Sequence, residues 1–147
     1  MKPLLKWLGI AVVVFLIVAQ FFPVDKTDPP IDPSKTIYAT ATVPPNAQSI
    51  LQRSCKDCHS DETHWPWYSH VAPASWLVAS DVHGGRHTMD LSEWTAYTDK
   101  QKQDRLDGIC EMVGGGDMPP SDYTLIHRNA VLTQADRDTL CQWVKSR

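Results

Sequence analysis

The chain has 147 residues, of which 42% are hydrophobic and 21% charged, with a net charge of −3 and four cysteines. This length suits one modest folded domain with appendages rather than two domains. Without Lys2 and Lys6, 12 basic residues stand against 17 acidic ones. Nucleic acid is therefore disfavoured as a partner, because phosphate contacts need clustered Lys and Arg. An acidic surface is consistent with a role in solubility alone, or with binding to a basic patch on a partner protein.

Residues 1–23 hold two lysines followed by an uncharged apolar run from Trp7 to Phe22. Extended back past Lys6, the run gives about 28 Å of helix, close to the roughly 30 Å of a hydrocarbon core. It predicts a signal segment or a minimal membrane anchor. We favour the anchor, because bulky Ile17 suits the A-x-A pattern poorly for a cut at Ala19. Positive residues ahead of the run predict a single-pass inner-membrane protein with its domain in the periplasm or outside.

Five prolines lie between Val24 and Asn46, and no helical or alternating apolar pattern persists there. The composition predicts a semi-extended linker over residues 24–44, which would tether the domain near a membrane partner. Residues 37–43, IYATATV, offer an alternative, which is an extended strand laid across the domain.

Helical patterns dominate residues 45–147, the predicted domain. Four helices are expected from residues that favour helix starts: Asn46, Pro73, Ser92 and Thr133. The second is expected to end at Gly84-Gly85, and the third to break in its polar middle, residues 99–104. No stretch shows convincing strand alternation, so the fold class expected is all-α.

The stretch SCKDCH places Cys55 and Cys58 three positions apart, with His59 directly after. Thiols at this spacing near a helix end can reach the two vinyl groups at one edge of a porphyrin, while the histidine points at the iron. C-x-x-C-H is the attachment pattern of c-type haem, so we expect one covalent haem c. Structural zinc and a redox dithiol are the lesser alternatives. Zinc would need a second close ligand pair, and a thioredoxin-like dithiol would sit near a βαβ pattern.

The second axial ligand of the iron is predicted to be Met118, in the Gly- and Pro-rich stretch GGGDMPPSDY. A thioether there would give His/Met ligation and a raised reduction potential. Met112 and Met89 are weaker candidates, since Met112 lies on an expected helix face and looks like a core residue. Five histidines remain rivals for a bis-His site: His64, His70, His83, His87 and His127. A disulfide between Cys110 and Cys141 is left open.

Several ordered motifs accompany C-x-x-C-H-S, namely T-H-W-P-W-Y, V-A-P-A-S-W-L-V, D-V-x-x-G-R, S-E-W, M-P-P-x-x-Y and L-T-x-A-D-R. Together they resemble the bacterial haem-binding domain family of small c-type cytochromes, over roughly residues 49–144. The resemblance implies a cytochrome-c-like helical domain, covalent haem at Cys55 and Cys58, His59 as proximal ligand and Met118 as distal ligand. The chain departs from the family at residues 89–91, Met-Asp-Leu, where members often have Leu-Asn-Phe.

The function expected is one-electron transfer between redox proteins at the membrane, by a tethered mono-haem cytochrome. No acid/base pair or supported nucleophile stands out, so we expect a non-enzyme without a small-molecule substrate. The alternative from another class is a haem-based sensor of a gas or redox state, with a displaceable sixth ligand. A thiol–disulfide carrier using Cys55 and Cys58 is a third hypothesis.

Overall fold

A computed structural model describes residues 2–147, with side chains from residue 3 onward. Eight α-helices follow one another in this part of the chain: α1 Lys2–Ala19, α2 Ile37–Thr40, α3 Pro45–Ser54, α4 Lys56–His59, α5 Ala74–Thr88, α6 Asp99–Gly115, α7 Ser121–Ile126 and α8 Gln134–Lys145. Short 3₁₀ turns lie at Pro33–Lys35, Trp67–His70, Trp94–Ala96 and Arg128–Ala130. The described residues form no strand, which confirms the all-α prediction.

The apolar N-terminal run is helical and forms the 18-residue helix α1. Across residues 2–147, no helix has both the length and the apolar character needed to cross a membrane. The structure therefore does not support the anchor expected for residues 1–23, of which the first lies outside the described residues.

The chain after α1 runs along the start of α5. The Gln20 amide donates from Nε2 to the Ala72 carbonyl at 3.0 Å and accepts from the Ala72 N–H at 3.1 Å. The Trp76 indole donates to the Phe22 carbonyl at 2.9 Å. Residues 20–22 are thus held on the domain by hydrogen bonds.

The middle segment, predicted as a linker, also contacts the core. Ile37 is fully buried, and its N–H donates to the Leu91 carbonyl at 2.8 Å. Thr36 caps α2 by accepting from the Ala39 N–H, so this stretch lies across the domain as a short helix and not as a strand. The division into residues 1–23, 24–44 and 45–147 stays a prediction, but the core includes a residue from the middle segment.

The core lies among α3, α6 and α8 and the loop that follows α5. Trp94 is buried and meets Tyr97 edge to face at a centroid distance of 5.6 Å. Further buried members come from all these elements: Leu51, Leu91, Leu106, Ile109, Val113, Leu140, Trp143 and Val144. Each such side chain contributes about 1.5–3 kcal/mol through burial. This packing fixes α6 on one side of the CxxCH motif.

Some helices begin where the sequence predicts a capping residue, and others do not. Thr133 precedes α8 as predicted, and it forms a capping box there with Asp136. The third predicted helix begins at Asp99 and not at Ser92, because Thr98 forms the capping box there with Gln101. The predicted break within residues 99–104 was wrong. α6 continues to Gly115, since its polar first turns face solvent while later apolar residues are buried.

A disulfide joins Cys110 of α6 to Cys141 of α8, with a Cα–Cα distance of 4.8 Å. The two cysteines are 31 residues apart, so the bond restricts a sizeable loop of the unfolded chain. Such a bond is typical of proteins in oxidising compartments.

Replacing Cys110 and Cys141 together with alanine should lower the free energy of unfolding by roughly 2–4 kcal/mol, because the unfolded chain regains loop entropy. Urea unfolding of the variant measures the difference. Wild-type protein in reductant should show a similar loss. An unchanged unfolding midpoint in both experiments would contradict the prediction.

Candidate functional site

The CxxCH motif occupies the junction of α3 and α4. Cys55 is the C-cap residue directly after α3, and its carbonyl accepts from the N–H of Cys58 at 3.3 Å and of His59 at 3.0 Å. These bonds form one helical turn that carries both thiols and the imidazole. The local sequence therefore fixes the relative positions of the three side chains before any tertiary packing is considered.

A cavity of about 510 Å³ opens beside this turn, and Cys55, Cys58, His59 and Met118 all line it. The structure thus brings together the four side chains that the sequence singled out. Helix α5 forms one wall and α6 another, the latter through Gly108, Ile109 and further apolar residues. A flat apolar group with one reactive edge would meet the thiols, the imidazole and the thioether here.

Glycines set the width of the cavity. A Cβ placed on Gly84 or Gly108 would meet no atom within 4 Å, so both leave open space at the lining. At Gly85 a Cβ would lie 2.3 Å from the Cys58 carbonyl oxygen. Helix α5 consequently continues past Gly84-Gly85 to Thr88 rather than ending there, because Gly85 lets it pack directly on α4.

Gly85→Ala should destabilise the fold by roughly 1–3 kcal/mol, because the added methyl meets backbone and not a movable side chain. Thermal unfolding gives the measurement. Gly114→Ala is the matched control, since its Cβ would meet nothing within 4 Å on α6. That change should stabilise by up to about 1 kcal/mol. Equal effects of the two changes would contradict the close contact.

His59 is oriented by a hydrogen bond from Nδ1 to the Met89 carbonyl at 3.0 Å. Since a carbonyl only accepts, Nδ1 carries the proton and Nε2 keeps a lone pair. Burial lowers the pKa of His59, against the opposing effect of the Met89 bond, and so favours the neutral ring. A neutral imidazole held through its other nitrogen is the usual form of a metal-ligating histidine.

Cys55 and Cys58 are free thiols, both half-buried. Burial raises the pKa of Cys55 to about 12, with a further contribution from Cys58. Burial also raises the pKa of Cys58 to about 12, together with the charges of Asp81 and Asp57. A thiol–disulfide carrier needs the opposite shift, towards thiolate, so the geometry disfavours that hypothesis.

The zinc alternative finds no ligand group in the part of the chain that the structure describes. Within residues 2–147, no three His, Cys, Asp or Glu side chains are placed to hold a metal ion together. A structural zinc site needs four ligands. Cys110 and Cys141, the other two cysteines, are bonded to each other.

Met118 follows α6, which ends at Gly116 in a left-handed conformation with φ of 84°. Its N–H donates to the Met112 carbonyl at 3.3 Å, and its half-buried side chain faces the cavity. Met89 and Met112 line the same cavity, Met112 with 38% of its surface exposed. Among the described histidines, His59 is the only one on this lining. The placement favours a thioether over a second imidazole opposite His59.

A comparison with protein families matches residues 14–146 to the haem-binding domain family, nearly the whole chain. The chain belongs to this haem-binding domain family. Comparisons with curated proteins and with solved structures each found no match. The family identifies haem as the group that the chain binds, and the cavity can be tested against it.

The residues present fit haem. The lining of one apolar cavity includes two free thiols, an imidazole with a free lone pair, and thioethers. Gly84 and Gly108 leave space where other residues would fill the cavity. His59 would hold the iron and the cysteines the porphyrin edge, while the buried surroundings would raise the iron's preference for the less charged, reduced state.

The sequence did not indicate Arg86 as a site residue, although Arg86 is the last residue of the D-V-x-x-G-R motif. It donates from Nε to the Ser60 carbonyl at 2.8 Å, from Nη2 to the Thr63 hydroxyl at 2.8 Å, and from Nη1 to the Thr27 carbonyl at 3.0 Å. Ion pairs with Asp28 and Asp61 complete its contacts. One side chain therefore ties the loop after the motif to α5 and to the N-terminal segment.

Tyr123 of α7 was also missed. Its hydroxyl donates to Asp57 Oδ2 at 2.9 Å, and its ring stacks on His127 at 4.2 Å. Burial, and then the charge of Asp57, raise the pKa of Tyr123, so the hydroxyl stays a donor. The Y of the M-P-P-x-x-Y motif is the signal that could have found it, since it anchors the Met118 loop to the turn between the two thiols.

Proposed function

We propose that the protein is a mono-haem c-type cytochrome that moves one electron at a time between redox partners. The observation that supports this most strongly is the placement of Cys55, Cys58, His59 and Met118 on one apolar cavity. Thioether bonds from the two cysteines would attach the haem, and His59 and Met118 would be the axial ligands.

The bound haem supplies the one-electron redox chemistry. The chain's own residues do the rest. Met89 orients His59 through the Nδ1 hydrogen bond, and Asp57 and Tyr123 hold the thiol turn against the Met118 loop. In this proposal no substrate is transformed, so the protein is not an enzyme.

A haem stain on a denaturing gel tests the covalent attachment, after expression with a cytochrome c maturation system. We expect wild-type chain to keep its stain and the Cys55→Ala/Cys58→Ala variant to lose it. The Cys110→Ala/Cys141→Ala variant is the matched control, since it loses two cysteines outside the cavity and should keep the stain. Unstained wild-type chain would overturn the proposal and favour dithiol or zinc chemistry.

The proposal extends to location and partners. A disulfide and thioether attachment both belong to an oxidising compartment, so the domain would work on the periplasmic side of the inner membrane, with residues 1–23 as signal or anchor. The electron partners would be redox proteins at that membrane, with neither nucleic acid nor a small molecule as partner. Fractionation tests this: recovery of the stained chain in the cytoplasm would contradict it.

One observation favours the sensor alternative. Met118 sits in a loop and not on a helix, so the thioether could be displaced more readily than a helical ligand. Carbon monoxide added to the ferrous protein distinguishes the two functions. A carrier with closed His/Met ligation should leave the spectrum unchanged, whereas a sensor should bind the gas.

A further inference from the structure

Arg105 lies on the α6 wall of the large cavity, and the proposed function leaves it without a role. It is the single Lys or Arg on this lining among the described residues. Its Nε atom is buried and has no hydrogen-bond partner within residues 2–147. Leaving a buried donor of a cation unpaired is destabilising, so its presence at an apolar cavity points to a ligand.

The guanidinium of Arg105 is held in place by its own surroundings. Nη1 donates to the Gln101 carbonyl at 3.2 Å, and the guanidinium carbon lies 3.8 Å above the centre of the Tyr97 ring. Tyr97 is in turn fixed by accepting from the Asp90 N–H at 2.8 Å and by its edge-to-face contact with Trp94. The plane of the guanidinium is therefore set before any ligand arrives.

The hydrogen bonds among the described residues engage Nη1 and leave free the edge of the guanidinium formed by Nε and Nη2. Parallel N–H groups on one edge match the two oxygens of a carboxylate. No carboxylate of residues 3–147 forms an ion pair with Arg105, although Asp104 lines the same cavity. Within residues 3–147 this edge therefore has no carboxylate partner.

We propose that Arg105 binds a propionate carboxylate of the haem through Nε and Nη2. The inference rests on the proposed function, because the haem must occupy the cavity beside the thiols. In this pair the Arg105 charge keeps the propionate ionised, since an opposite charge within 4–6 Å favours the charged form.

The test compares Arg105→Gln with Lys102→Gln in the full-length, haem-loaded chain. Lys102 lies on the same helix, pairs with Asp99 and is not on the cavity lining, so its change removes the same charge outside the site. The midpoint potential is measured from pH 5 to pH 9. Other titratable groups that face the cavity or its rim are present in both variants: Asp57, His59, Asp81, Asp90, Tyr97, Asp104 and Tyr123.

Arg105→Gln should lower the potential and add a step in which the potential falls as pH rises. Without Arg105 the pKa of the propionate moves up into the measured range, and its deprotonation then stabilises the oxidised iron. Lys102→Gln should follow the wild-type profile. Arg105→Lys keeps the charge without the paired donors, so we expect the same step at lower pH. This second variant carries the test if Arg105→Gln does not fold.

If the Arg105 variants keep covalent haem and their midpoint potentials follow the wild-type pH profile, the propionate contact is overturned. The cytochrome proposal is then unaffected. Absence of the stain from wild-type chain would instead overturn the cytochrome proposal. The two failures are therefore distinguishable on the same preparations.

Discussion

Replacing His59 with alanine should remove the proposed proximal ligand while leaving Cys55 and Cys58 able to hold the haem through the proposed thioether bonds. We expect the denaturing gel to stay stained and the absorption spectrum of a His-ligated, low-spin iron to be lost entirely. The variant also loses the Nδ1 hydrogen bond to Met89, worth about 1 kcal/mol of stability. Spectra of the oxidised and reduced protein, with added imidazole to refill the vacant position, measure the effect.

His83→Ala is the matched control, because His83 is exposed on α5 and absent from the cavity lining. That variant should keep the wild-type spectrum. A wild-type spectrum from His59→Ala would show that another residue is the ligand. Restoration by imidazole in this variant, with no effect of imidazole on the wild-type spectrum, would support the role of His59, because the added ligand then enters the position that its side chain leaves.

The part of the site that could be predicted from the sequence is the part that lies within one helical turn. Cys55, Cys58 and His59 are neighbours in the chain, so backbone geometry alone places them together. Met118 was predicted from its Gly and Pro surroundings, and the structure does place it on the same cavity. Its role as the ligand stays a prediction, because Met89 and Met112 line that cavity too.

What the sequence could not predict depends on how distant elements pack. The polar residues 99–104 resembled a break, yet the burial of Leu106, Ile109 and Val113 holds α6 as one helix. That continuous helix is what brings Arg105 to the cavity wall. Periodicity does not report such contacts, since an arginine on a helix face is usually solvated.

The N-terminal segment shows the same limit. Composition predicted a semi-extended linker over residues 24–44, because prolines disrupt regular structure. The structure instead buries Ile37 and binds Thr27 and Asp28 to Arg86. Each contact joins residues more than fifty positions apart, and no local pattern could have indicated them.

Met118→Ala should lower the reduction potential by an amount on the order of a few tenths of a volt, within the roughly 0.8 V over which axial ligands move haem potentials. A thioether favours ferrous iron, and its loss leaves water or nothing opposite His59. The open position should then bind carbon monoxide in the ferrous protein. Potentiometry and the spectrum under the gas are the two measurements.

Met112→Leu provides the matched control, because Met112 lines the same cavity from α6 and leucine nearly conserves its volume. If Met118 is the ligand, the Met112→Leu variant should keep the wild-type potential and should not bind carbon monoxide. If instead Met112→Leu opens the iron and Met118→Ala does not, the ligand comes from the helix and not from the loop. A helical ligand would be held more rigidly, which would also remove the observation favouring a displaceable sixth ligand and leave electron transfer as the better supported function.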